Sequence, residues 1–130
     1  MAEVTPKEQH RAGVMARWGT RCYVYGPDCE GRVEAAHYVS AQRLREERRK
    51  LALTPYRFTP EDPRHGLVRA SLDDLIADSR NGIPLCNEHH NAFDGKRAVR
   101  LVIPAPQCVI DFATEYGLTH LIDIEVAEAA

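Results

Sequence analysis

Two cysteine-bearing stretches, far apart in the chain, constrain its fold more than any other feature. "RCYVYGPDCEG" carries Cys22 and Cys29 in a C-x6-C spacing, and "IPLCNEHHNAFDGK" carries Cys86 followed by His89 and His90. A helix turns about 100° per residue, so positions three or four apart share a face and adjacent ones do not. On a short helix following Cys86, His89 therefore lies on the side of Cys86 and Phe93, and His90 on the side of Asp94. One ion does not comfortably take both histidines. Cys22, Cys29, Cys86 and His89 together make a sulfur-rich tetrahedral set of the kind that closes around structural zinc, and forming it forces the two stretches together. C-x6-C is wider than usual, but Gly26-Pro27-Asp28 is turn chemistry that can bring the thiolates back to one another. The other reading is that these cysteines are small buried hydrophobes. Cys108, in the apolar "QCVIDF", reads as core, and also as the alternative to His89 for the fourth position.

The remaining face of the same helix offers His90 and Asp94 at i, i+4, one nitrogen and one carboxylate oxygen. Such a mixed pair leaves positions open, as a catalytic ion needs, and is also an ordinary exposed pair when it stands alone.

Bulk properties narrow the classes. With 130 residues the chain fits a single domain spanning 1–130. Its formal net charge of −2 and pI near 6.3 require any nucleic-acid surface to be local. The start is too polar and mixed in charge for a signal peptide, and no long apolar run suggests a membrane span, so a cytoplasmic location is expected. In a reducing compartment four cysteines point to metal rather than disulfides. Local basic charge is present in "RLREERRK", with Arg43, Arg45, Arg48, Arg49 and Lys50, and again at Lys96, Arg97 and Arg100. These side chains suit DNA phosphates, while "RLREERRK" also reads as a solvated helix face with pairs such as Arg43 and Glu47.

The local signals predict a helix over 6–18, capped by Thr5 with Glu8 and stopped by Gly19. A short hairpin is expected within 21–39, and a charged helix from Ser40. "TPYRFTPEDPRHG" reads as a Pro-rich loop without regular structure, and a helix restarts at Ser71. The short helix near 87–94 ends at Gly95, "AVRLVIP" reads as a strand, "PQCVIDFATEY" as a helix ended by Gly117, and "THLIDIEVA" as either. His10, His65 and His120 read as surface residues, with His65 the one candidate DNA contact among them.

Taken in order, "VEAAHYVSAQ", "NGIPLC" and "HHNAFDGK" resemble the HNH endonucleases, the ββα-metal or His-Me finger nucleases, and most closely a restriction- and phage-type branch with the pattern A-A-H, N-G, H-x-x-F-D. The likeness covers about 21–96, outside an unmatched stretch between Val39 and Arg80. It implies an α+β fold: a small ββα-metal core, zinc-stabilised and treble-clef-like, with a helical insertion at about 40–80, a C-terminal extension at 97–130 and flanking helices. It implies a metal-dependent nuclease of DNA that leaves a 5′-phosphate and a 3′-hydroxyl. His37 matches the general base, and Asn81 the residue that holds the catalytic loop or contacts the metal. His90 and Asp94 match the ligands of a catalytic Mg²⁺ or Mn²⁺, for which Ni²⁺ or Co²⁺ could substitute. Where many members carry an Asp or His ligand before the base, this chain has Ala36, so waters, Asn81 or the scissile phosphate are left to complete the shell. Ala36 and the acidic pI also motivate the alternative, a catalytically weak zinc-stabilised DNA-binding or packaging module.

Overall fold

Residues 4–53 and 58–124 are described by the structure, a computed structural model. Helix α1, Pro6–Trp18, begins as its sequence dictates: the Thr5 hydroxyl accepts from the Glu8 N–H at 3.1 Å, Pro6 needs no N–H at the first position, and Gly19 at φ 83° ends it. One face carries His10, Val14, Arg17 and Trp18, and it is this face that packs on the segment leading into the second strand. Approach is close because Gly13 lacks a side chain; a Cβ there would lie 2.3 Å from the Ser79 Cβ.

Strand β1, Val33–His37, pairs antiparallel with β2, Gly82–Cys86, so that Val33 lies opposite Cys86 and His37 opposite Gly82. The hairpin expected within 21–39 is therefore not formed. Residues 22–29 fold instead into turns, Tyr25 N–H to Cys22 O at 3.1 Å and Cys29 N–H to Gly26 O at 3.1 Å, which leave no strand edge for β1. Tyr23 N–H to Pro84 O at 2.6 Å pins this loop to β2, bringing the first two cysteines beside the third.

Between the strands lie α2, Ala41–Ala52, capped by Ser40, α3, Pro63–Arg69, and α4, Leu72–Ala77, capped by Ser71. Helix α3 corrects the reading of "TPYRFTPEDPRHG" as wholly irregular: Asp62 caps the Arg64 N–H at 2.9 Å and Pro63 sits at the first helical position, where proline assists a helix. Arg48 of α2 donates to the carbonyls of Leu67 and Ala70 at 3.4 and 2.8 Å, closing the end of α3.

Helix α5, Asn87–Phe93, follows β2 without a break, and α6, Gln107–Tyr116, ends at left-handed Gly117. "AVRLVIP" forms no strand. It crosses the molecule on single bonds, Leu101 N–H to Ala92 O at 3.0 Å and the Tyr38 hydroxyl to Ile103 O, and Pro104 has no donor for a ladder. Of "THLIDIEVA", Thr119–Leu121 is one 3-10 turn and the residues from 125 onward lie outside those described. Leu44, Leu67, Leu75, Ile83, Leu85, Val109, Phe112 and Leu118 are fully buried and draw every layer onto one core, each side chain contributing about 1.5–3 kcal/mol. The fold is α+β, a ββα unit of β1, β2 and α5 enclosed by the other helices.

Candidate active site and metal centre

Cys86 is both the last residue of β2 and the N-cap of α5, its sulfur accepting from the His89 N–H at 3.4 Å. His89, one turn into the helix, is thereby turned inward, 6% exposed, with its Nδ1 lying 3.3 Å from Cys22 Sγ, 3.5 Å from Cys29 Sγ and 3.2 Å from Cys86 Sγ. All four ligand atoms lie within 4.8 Å of one another. Sulfurs about 2.3 Å and a nitrogen about 2.1 Å from a tetrahedral zinc lie about 3.5–3.8 Å apart, so the set fits zinc with little movement. Asp28, in the turn between the first two cysteines, accepts from His89 Nε2–H at 3.1 Å and is itself held below the usual carboxylate range by that contact. This fixes Nδ1 as the metal-facing nitrogen, a carboxylate–histidine arrangement common at zinc. Burial pushes the Cys22 thiol up to about 11. Burial acts on Cys86 in the same direction, but hydrogen bonds led by the His89 N–H outweigh it and hold that thiol down to about 7. Cys108 lies on α6, outside the cluster.

His37 closes β1. Its Nε2 lies 2.9 Å from the Ile76 carbonyl, which can only accept, so Nε2 carries the hydrogen and Nδ1 is left as the basic nitrogen. Burial lowers its pKa from the ordinary imidazole value, and the charge of Lys7 and any charge on His90 act in the same sense, against the Ile76 bond. Asn81 is fully buried, with Oδ1 accepting from the Val39 N–H at 2.7 Å and Nδ2 donating to the Val39 carbonyl at 2.9 Å. Both ends of its amide thus grip the chain just after His37, which leaves the side chain placed to hold that loop.

His10 is not a surface residue. It is 1% exposed and lies flat on His37, ring centroids 3.6 Å apart and planes 13° from parallel. Its Nε2–H donates to the Asn81 carbonyl at 2.9 Å. The spacing to Val14 and Trp18, one and two turns on, is the available sign in the sequence that position 10 faces the core. Gly82 makes room for it: a Cβ there would stand 2.4 Å from Val14 Cγ2 and 2.5 Å from His10 Nε2. Gly82→Ala is accordingly expected to lower stability by about 1–3 kcal/mol, seen as a reduced urea midpoint, while Gly26→Ala, next to the flexible Asp28 side chain, changes it much less.

His90 points away from the cysteines. Its Nε2 lies 3.3 Å from Asp94 Oδ2 and its Nδ1 3.3 Å from Glu34 Oε1. Two ligands about 2.1 Å from one octahedral ion and at right angles are about 3 Å apart, so His90 and Asp94 fit a divalent ion at the Nε2 edge. Glu34 sits on the opposite ring edge, a contact that the motif reading did not contain; as acceptor for Nδ1–H it fixes Nε2 as the free nitrogen. Ala36, buried at 1%, offers no ligand.

The basic residues divide. Arg43, Arg45, Arg49, Lys50 and Lys96 are exposed, and Arg43, Lys96 and Arg100 line an open cleft of about 590 Å³ that includes Asp94. Arg48 is committed to α3, and Arg97 forms a two-bonded pair with Glu88 at 2.9 Å. Glu47 faces Lys50 and His120 rather than Arg43. His65 lies on α3.

Residues 20–98 match a family model described as HNH endonuclease. Neither a curated protein nor a solved structure gives a significant match to the chain.

Proposed function

The chain belongs to the HNH endonuclease family, and from that premise we propose that it hydrolyses DNA phosphodiester bonds, with His37 as general base and a divalent ion on His90 and Asp94. The observation that carries this reading is the tethering of His37 through Nε2–H to the Ile76 carbonyl at 2.9 Å, which leaves Nδ1 as a base of fixed direction on a ring kept neutral by burial. Nδ1 takes one proton from the attacking water while the water oxygen bonds to phosphorus. The bond to the 3′ oxygen then breaks, that oxygen keeps the electron pair and takes a proton from solvent water, and a 5′-phosphate and a 3′-hydroxyl result.

His90 Nε2 and an Asp94 oxygen would hold Mg²⁺ or Mn²⁺, which would supply Lewis-acid stabilisation of charge on the phosphate and the departing oxygen. Glu34 keeps His90 in the tautomer that serves this ion, and Asn81 keeps the loop after His37 in place. The four-ligand cluster is closed and structural, suited to zinc and without an open position for substrate. Arg43, Arg45, Arg49, Lys96 and Arg100 supply phosphate contacts of little sequence preference.

Supercoiled plasmid incubated with Mg²⁺ or Mn²⁺ tests the reading: the protein should convert it to open circles. Absence of nicking with any divalent ion and any DNA form, alongside retained DNA binding, would favour the non-catalytic module to which Ala36 points.

A further inference from the structure

Helix α1 precedes the residues that match the family model, yet it delivers an imidazole to the back of the base. We propose that His10 is a positioning residue for His37, a fixed aromatic platform that keeps the His37 ring in the one orientation in which Nε2 meets the Ile76 carbonyl and Nδ1 faces the substrate side. This rests on the nuclease reading of the site for its effect on rate, and on the geometry alone for its effect on the ring.

Three observations converge on it. The rings are stacked at 3.6 Å and 13°, so turning the His37 ring about its Cβ–Cγ bond must displace His10. His10 cannot yield easily, because it is 1% exposed and anchored by its 2.9 Å bond to Asn81 O, the carbonyl that also receives the Tyr38 N–H at 3.3 Å. The helix that carries it is itself pinned: Arg17 donates to Ser79 O at 2.8 Å, Trp18 Nε1–H to Gly82 O at 3.2 Å, and Gly13 and Gly82 remove the side chains that would hold it off. Asn81 and Gly82 thus serve two sides at once, the amide fixing the loop after His37 and the backbone fixing the platform behind it.

Electrostatics suit the arrangement. Burial, then His37, lower His10 to about 4, against the Asn81 bond and Asp78, so the platform is neutral at working pH. The groups facing the pair are Lys7 of α1, Asp78 after α4 and His90 of α5; Lys7 disfavours a proton on His37, as does any charge on His90. Opening the platform side to water weakens the largest cause of that depression, burial, and lets the His37 value rise toward the ordinary one.

The test compares His10→Ala, which removes the ring, with His10→Phe, which keeps a flat ring without the hydrogen bond. Nitrogen-15 spectra of the imidazoles give the His37 tautomer in the absence of DNA, and single-turnover nicking gives the rate. His10→Ala should shift His37 from the Nε2–H form to a mixture, slow nicking by about tenfold or more, and move the acidic limb of the pH profile upward. His10→Phe should restore the tautomer, and bring the rate to within about threefold of wild type. Wild-type tautomer, rate and pH profile in a folded His10→Ala would overturn the proposal. So would a folded His10→Phe as impaired as a folded His10→Ala; if the alanine variant fails to fold, loss of the wild-type tautomer in a folded His10→Phe overturns the proposal. If the wild type nicks nothing, the nuclease reading fails and the tautomer comparison still decides the platform.

Discussion

His37→Ala is expected to slow plasmid nicking by about 10²–10⁴-fold in Mn²⁺ while leaving DNA affinity and zinc content unchanged, because a positioned general base contributes about that much. The fold should survive. His37 lies at the end of its strand, and losing its bond to Ile76 O costs on the order of 1 kcal/mol. Activity requires the imidazole without its second proton, so the rate should fall as pH drops through the His37 pKa. Burial places that pKa under the ordinary value, with Lys7 and His90 adding to the effect, so the acidic limb should lie below about 6.5. In His37→Ala the limb should disappear along with most of the rate. An undiminished rate in this variant would remove His37 from the chemistry.

The second large effect concerns the cluster of Cys22, Cys29, Cys86 and His89. Zinc on such a set contributes an apparent ~10–16 kcal/mol, comparable to the whole stability of a domain at ~5–15 kcal/mol. Cys86→Ser should therefore lose about one zinc per chain and with it the cooperative melting transition, since Cys86 also caps α5 and ends β2. Cys108→Ser, on α6 outside the cluster, should keep its zinc. Zinc retention in wild type should weaken as pH falls, because every cysteine thiol must shed its proton to bind. Cys22, pushed up to about 11 by burial, relies on the metal for that loss more than Cys86, which hydrogen bonds hold down to about 7 against its own burial. Undiminished zinc in Cys86→Ser would show that the cluster does not hold it.

The facing of the doubled histidine was legible from helical geometry, since 100° per residue alone sends His89 toward Cys86 and His90 toward Asp94. So were α1, whose start and stop residues act locally, and the end of α6 at Gly117. What the sequence hid depended on partners distant along the chain. A hairpin within 21–39 looked plausible because strand composition does not reveal that residues 22–29 are turned back by their own hydrogen bonds, leaving β1 to find β2. "AVRLVIP" has strand composition and no neighbouring edge to pair with. The prolines of "TPYRFTPEDPRHG" suggest a loop, although proline at the first turn, as at Pro63, starts a helix as readily as proline elsewhere ends one. His10 was hidden most deeply, because no local motif links a histidine of α1 to one at the end of β1. Glu34 was hidden for a related reason: its contact with His90 crosses from strand to helix.

Whether the adjacent histidines serve two different ions is tested most directly by His90→Ala, followed by zinc analysis and a Mn²⁺ titration. Zinc should remain at about one per chain while the Mn²⁺ site is lost, because His90 lies 3.3 Å from Asp94 and outside the cysteine cluster. Loss of zinc from His90→Ala, or Mn²⁺ binding equal to wild type, would contradict it.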